Sequence, residues 1–203
     1  MELTMPDFFD NNDDRIGENK AQSSAIAIKR EKLKMMRIER EKNLMAIFPA
    51  DLDPGTSLHV ISSGDIDALS YLIALADRYG PFDHLYASTW TLSREDCHLL
   101  QRYLTDKTIA RLVMFTGEYF ASRETSVYAT LMDVVKHHPG SQLHLFKNHC
   151  KLLIMANKKT GFYAVCEGSA NFTTNPRTEQ TVITRSKSLH DFYIEWFEEL
   201  LKK

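Results

Sequence analysis

Cysteine is too scarce and too irregularly spaced to organise this chain: Cys97, Cys150 and Cys166 form no CxxC pair, and their number is odd. That excludes a disulfide framework and a zinc ribbon. It makes a reducing compartment, the cytoplasm, the expected home. An excess of one charge is also missing, because 25 Lys and Arg stand against 27 Asp and Glu. A chain so balanced has no overall basic footprint, so any nucleic-acid binding has to come from a local patch. No apolar run approaches a membrane span, so no membrane role is expected. The amino end, MELTMPDFFDNNDD, lacks the basic region that opens a secretory signal. Internal repeats are absent, which leaves one copy of one unit. What is present is an ordinary core supply, 43% hydrophobic residues in a length of 203 that suits one domain with some chain to spare.

Three segments differ in character. Residues 1–24 are polar and acidic, with Asp7, Asp10, Asp13 and Asp14, and are expected to form a flexible tail. Phe8 and Phe9 interrupt it, either as a chance pair or as a short docking motif for a protein partner. Residues 25–48 are rich in helix formers and locally basic, with Lys29, Arg30, Lys32, Lys34, Arg37, Arg40 and Lys42. They predict a charged helical arm that leans on the domain or contacts phosphates. Pro49 and Asp53-Pro54-Gly55 mark the boundary to a domain over residues 50–203.

In that domain strands alternate with helices three times. SLHVIS reads as a buried strand, followed by a helix with Asp65 as N-cap and Gly80 as stop. HLYASTW is the second strand, and Ser93 with Asp96 opens the next helix as a capping box. RLVMFT and a helix through Val127, Leu131 and Val135 complete the third unit. The alternation predicts an α/β fold with a mixed, mostly parallel sheet flanked by helices on both faces. QLHLF, HCKLLIMA, GFYAVCE and EQTVIT then follow as strands in quick succession. A final helix, capped by Ser188, carries Phe192, Tyr193, Trp196 and Phe197 in a stripe expected to be core.

The chemistry concentrates in residues 149–180. His149 and Lys151 stand two apart at the start of an apolar run, so on a strand they share a face and Cys150 takes the other. Ser169 and Asn171 are also two apart, just past the neighbouring strand, and Glu179 opens the next. A hairpin would gather an imidazole, an ammonium, a hydroxyl, an amide and a carboxylate at one end of the sheet. Such a set suits phosphoryl chemistry. The imidazole is a nucleophile or proton shuttle, the lysine and neutral donors hold developing negative charge, and the carboxylate orients the imidazole.

This stretch resembles the HKD motif of the phospholipase D superfamily, H-x-K-x4-D followed by G-S-x-N, and is most similar to its small one-motif endonucleases. His149, Lys151, Gly168, Ser169, Asn171 and Phe172 match, with Glu179 beyond. The motif's Asp would fall at Ala156, which departs from the pattern. The resemblance covers residues 57–203 by strand order and not residues 1–48.

The resemblance implies a phospholipase D-like fold and a metal-independent phosphodiesterase, an endonuclease or DNA-processing enzyme with no cofactor. Because such sites need two motifs and this chain has one, it implies a homodimer with the site at its interface. His149 would form a phosphohistidine, while Lys151, Ser169 and Asn171 grip the phosphoryl oxygens and Glu179 orients a histidine. Arg177 and Trp90 are expected to bind substrate, the latter at the cleft mouth. The alternative is a catalytically inactive nucleic-acid-binding or scaffold protein on the same fold. A lipid-acting enzyme ranks below both. His137, His138 and His144 are expected to be structural, as are Asp65 and Asp67 at a helix start.

Overall fold

A computed structural model describes residues 26–30, 33–38, 44–46, 48–62, 66–174 and 177–202, with only the backbone for 26–38. The strands are β1 Ile26–Arg30, β2 Leu33–Ile38, β3 Ser57–Ser62, β4 His84–Thr89, β5 Leu112–Gly117, β6 Gln142–Phe146, β7 Leu152–Asn157, β8 Phe162–Gly168 and β9 Glu179–Arg185. The helices are α1 Ala68–Tyr79, α2 Arg94–Thr105, α3 Glu118–Arg123, α4 Thr125–Lys136 and α5 Lys187–Leu200.

All nine strands form one sheet in the order β1-β2-β3-β9-β8-β7-β4-β5-β6. The fold is α/β and mixed, but the sheet is not mostly parallel. Only β2–β3, β4–β5 and β5–β6 pair in parallel, and the other neighbours are antiparallel. The helical crossovers do yield the parallel set β4, β5 and β6, as alternation requires. Between β3 and β4, however, the antiparallel trio β9-β8-β7 is inserted. The hairpin joining β7 to β8 is too short for a crossover. Asn157 Oδ1 accepts the N–H of Thr160 at 3.2 Å, and Gly161 takes a φ of +68°, which suits a residue without Cβ.

The amino-terminal arm also departs from expectation. Residues 26–30 and 33–38 are strands, not helix, and β2 runs alongside β3 from Leu33↔Ser57 to Ile38↔Ser62. An open sheet edge offers a row of backbone partners, and this tertiary pairing outweighs weak intrinsic propensity. The acidic tail, with Phe8 and Phe9, lies outside the described residues, as does Asp65.

Helices cover both faces of the central strands. Leu85, Leu112, Met114, Leu153, Met155, Phe162 and Ala164 face α1, α2 and α4 in the larger core. The alternate residues Tyr86, Val113, Phe115, Leu152, Ile154 and Val165 pack with Phe197 of α5. This period-two division fixes the strand register. β3 alternates rather than lying buried throughout: Leu58 and Val60 point into the core while Ile61 is 46% exposed. Asp67, not Asp65, caps α1 in a capping box with Ser70, and Gly80 ends it. The Ser93–Asp96 box opens α2 as expected. Ser186 rather than Ser188 caps α5, its hydroxyl accepting from Leu189 N–H. No helix among the described residues is long and apolar enough to cross a membrane.

Candidate active site

The strand directions bring one set of ends together. β3, β4, β5, β6 and β8 finish at the same edge where β7 and β9 begin, which aligns Ser62, Thr89, Gly117, Phe146, Gly168, Leu152 and Glu179. The outer margin at the carboxyl ends of parallel strands is where α/β sheets commonly bind ligands. Here the turns beyond those ends carry the motif.

His149 and Lys151 precede β7 rather than lying in it, because the ladder starts at Leu152. Their segment is held from below. Asn148 Nδ2 donates to Ser88 Oγ at 2.6 Å, Ser88 Oγ donates to the Cys150 carbonyl at 3.0 Å, and Asn148 Oδ1 accepts the Cys150 N–H at 2.9 Å. Asn148 therefore positions its neighbours, a role that the motif pattern does not signal. Lys151 folds back on His149. Its Nζ lies 3.0 Å from Nδ1 and 3.2 Å from Nε2, and donates to the His149 carbonyl at 2.8 Å. An ammonium has N–H donors and no lone pair, so this contact needs an unprotonated ring nitrogen. Burial holds the Lys151 ammonium below the usual lysine range, opposed by neighbouring Cys150 and Glu179. Lys151 is 9% exposed, while His149 is exposed. The imidazole is thus reachable and the ammonium beneath it is partly dehydrated, which strengthens its attraction for an anion.

Strand alternation, which set Cys150 on the face opposite Lys151, does not hold here, because the segment precedes the ladder. Cys150 is exposed, and with Lys151, Leu152, Glu167, Gly168, Phe192, Tyr193 and Trp196 it lines a cavity of about 370 Å³. The α5 stripe is therefore only partly core. Phe197 is fully buried, Phe192 is 61% exposed, and Tyr193 donates to Glu167 Oε2 at 2.6 Å beside Lys151. Helical spacing identifies the stripe but not which rings the neighbouring sheet leaves uncovered.

Ser169 and Glu179 meet across the β8–β9 ends. Ser169 Oγ donates to Glu179 Oε2 and accepts the Gln180 N–H at 3.0 Å, and Ser169 N–H donates to the Gln180 carbonyl at 2.9 Å. Gly168 permits this closeness, since a Cβ there would stand 2.3 Å from the Gln180 carbonyl oxygen. Asn171 turns toward β4. Its Oδ1 accepts from Trp90 N–H and Thr89 Oγ1, both at 3.4 Å, and its carbonyl accepts the Ala68 N–H at 3.0 Å. Because only the amide oxygen can accept from a backbone N–H, the amide nitrogen is the arm left to donate.

Trp90 joins the two halves. Its backbone meets Asn171 while its ring lies 5.6 Å from the His149 ring and stacks on Tyr119 at 5.8 Å. Arg177, by contrast, is exposed and makes no hydrogen bond or ion pair with the described residues. His138 bonds the Val134 carbonyl, His137 the Asp133 carbonyl, and His144 stacks on Phe115, all away from this edge. Among the described residues no group of three or more His, Cys, Asp or Glu could hold a metal ion.

Ala156 lies at the far end of β7, fully buried and paired with His84 and Tyr163. Four residues of strand separate it from Lys151, a span of about 16 Å. The one departure from the motif thus falls outside the cluster that surrounds His149.

No protein-family model matches the chain, and no curated protein matches it. Among solved structures it is similar to a polyphosphate kinase from Porphyromonas gingivalis, at 10% identity and a TM-score of 0.45 over 68% of this chain. The overlap spans 25% of that protein's length.

Proposed function

We propose that the protein is a metal-independent phosphodiesterase acting on nucleic acid through a phosphohistidine, with the site completed by a second copy of the chain. The observation that carries this reading is the Lys151 ammonium resting on the accessible His149 imidazole at the shared strand edge. An anion arriving there meets a cation and a nucleophile together, and Asn171 is held on the backbone of Trp90, whose ring lies 5.6 Å from the His149 ring. Trp90 adds an aromatic wall at the cleft mouth.

The chemistry balances with two imidazoles. An unprotonated nitrogen of one His149 attacks phosphorus, and a P–N bond forms as the bond to the leaving oxygen breaks. His149 of the second copy gives that oxygen its proton. A water oxygen then displaces the first histidine from phosphorus, and its proton returns to the second histidine. Lys151 from each copy stabilises the charge on the non-bridging oxygens. Glu179 accepts a hydrogen bond from the Ser169 hydroxyl, so the carboxylate holds that hydroxyl in place at the strand edge. Arg177, exposed in the approach to β9, is assigned to an outer phosphate.

The test is incubation of the purified protein with single- and double-stranded DNA in EDTA, followed by alkaline quench. Cleavage, an acid-labile phosphoprotein adduct and loss of both in His149→Ala support the reading. Binding without cleavage assigns the chain to non-catalytic nucleic-acid binding instead. Cleavage by a species that sediments as a monomer removes the shared-site part.

A further inference from the structure

Beside His149 the sheet edge carries an aromatic ledge that phosphoryl transfer itself does not use. Trp90, at the end of β4, and Tyr119, in α3, stack with rings 23° from parallel and stand 38% and 51% exposed. Large exposed aromatics in contact with each other are uncommon on a surface with no ligand to meet. Open space flanks the pair. One cavity of about 350 Å³ is lined by Trp90, Gly117, Glu118, Tyr119, Lys147 and His149, and a second of about 190 Å³ continues past the same rings toward Phe120 and Arg123. Gly117 creates the first, since a Cβ there would stand 2.9 Å from Trp90 Cδ1.

Charge selects the occupant. The Arg123 guanidinium lies 4.8 Å from the centre of the Tyr119 ring, and Lys147 is exposed on the opposite rim. Cations at the borders of stacked aromatics fit a flat, polarizable group on an anionic chain. Each cavity also carries one carboxylate, Glu118 in the first and Glu124 in the second. A carboxylate there repels phosphate but accepts amino N–H groups, so the base edge rather than the backbone belongs at that point.

We infer that the Trp90–Tyr119 ledge stacks an unpaired nucleobase adjoining the phosphate at His149, so that the protein takes single-stranded nucleic acid. The inference rests on the phosphodiesterase reading only for which phosphate lies next door. A paired base keeps its faces inside the duplex stack and has none to offer the ledge. The strand reaches the imidazole with its neighbouring base already held, and the sugar–phosphate between them follows the Lys147 and Arg123 borders.

The measurement is binding, read on mixing and before turnover, of oligothymidylate of roughly ten nucleotides, a length typical of one single-strand groove. It is compared with an abasic strand of equal length and with the duplex formed on oligoadenylate. Trp fluorescence is followed in a Trp196→Phe background, which leaves Trp90 as the reporter. The expected result is about tenfold tighter binding of the base-bearing strand than of either competitor, with quenching of Trp90. With anisotropy of end-labelled strands as the readout for the variants, Tyr119→Ala and Trp90→Ala each bring that preference close to unity, and Trp90→Phe restores most of it. Equal affinity for the abasic strand, or a preference untouched in Tyr119→Ala, overturns the inference. The two readings fail separately. Loss of base preference with cleavage intact removes the ledge alone. Base preference that persists in His149→Ala, in a protein that cleaves nothing, removes the enzyme and leaves the ledge standing.

Discussion

The two ends of the central sheet each hold histidine, and they treat it in opposite ways. At one end His149 is exposed, leans on an ammonium and faces open cavities. At the other, His84 and His190 are turned on each other, Nε2 to Nε2 at 2.8 Å, under the first turn of α5. His190 Nδ1 lies 2.9 Å from Asp191 Oδ1, so it is the donor there and its Nε2 is the acceptor. His84 Nε2 therefore gives the proton that joins the pair. Both nitrogens of the buried His190 ring are bonded within the fold, while the contact at His149 leaves an imidazole facing solvent. A histidine whose bonds close on themselves holds structure together. One that is positioned but left accessible can do chemistry.

The strongest way to break this comparison is to delete the imidazoles. His149→Ala is expected to lower EDTA-resistant cleavage at least a thousandfold, since it removes nucleophile and proton donor together. Its thermal midpoint should stay within about 2 °C of the parent, as for other surface changes. Lys151→Met follows with a loss of about a hundredfold, the usual cost of one charge-stabilising donor. If His84→Gln lowered kcat as much as His149→Ala at constant folded fraction, the division between the two ends would be wrong.

The next effect is on stability against pH. Burial, with His190 as neighbour, pushes His84 down to about 4 from 6.5, and burial lowers His190 as well. Between those values the unfolded chain binds a proton that the folded chain refuses, so stability rises with pH. It should be complete above about 6.5 and decline as the pH falls toward 4, by up to roughly 3 kcal/mol for His84 at about 1.4 kcal/mol per unit. Urea midpoints from neutral to acid pH would measure it, and His84→Gln should flatten the slope. An unchanged slope in that variant would assign acid sensitivity to other groups.

Residues of the active edge were more legible in the sequence than the sheet that presents them. His149, Lys151, Ser169 and Glu179 stand out because they flank the apolar runs that become β7, β8 and β9, and a hairpin of neighbouring strands brings such flanks to one edge. That the sheet is mixed was legible, but its mostly antiparallel pairing was not, because β9 enters between β3 and β8 through pairings that no local pattern encodes. The arm over 26–38 misled for the same reason, since its partner β3 is distant in sequence. Tyr119 escaped notice because its relation to Trp90 exists only after β4 and β5 lie side by side. Asp67 replaced Asp65 as N-cap because the two are equally good capping residues two positions apart.

A smaller effect sharpens the contrast at Gly168. A methyl group there meets the Gln180 carbonyl at 2.3 Å and Thr181 Cα at 3.0 Å, both backbone atoms that cannot swing aside. Gly168→Ala should cost about 1–3 kcal/mol by forcing β8 from β9. It should also loosen the Ser169–Glu179 contact, which spans the same gap. Chemical denaturation would read the first effect and the rate in EDTA the second.

The smallest expected change lies on α5, where one helix serves both ends. Phe197 is fully buried against Phe115, with ring centres 4.4 Å apart, and its removal should cost about 3–5 kcal/mol. Phe192, five residues earlier, is 61% exposed at the rim of the Lys151 cavity, and Phe192→Ser should change unfolding free energy by less than about 0.5 kcal/mol. The two rings belong to one stripe by spacing, so only the covering sheet makes them differ. Denaturation at low and high protein concentration separates the cases. A cost that is small and independent of concentration marks Phe192 as a cavity rim open to solvent. A cost that grows with concentration means that a second copy covers this face, and the shared site would then be sought on the α5 side of Lys151.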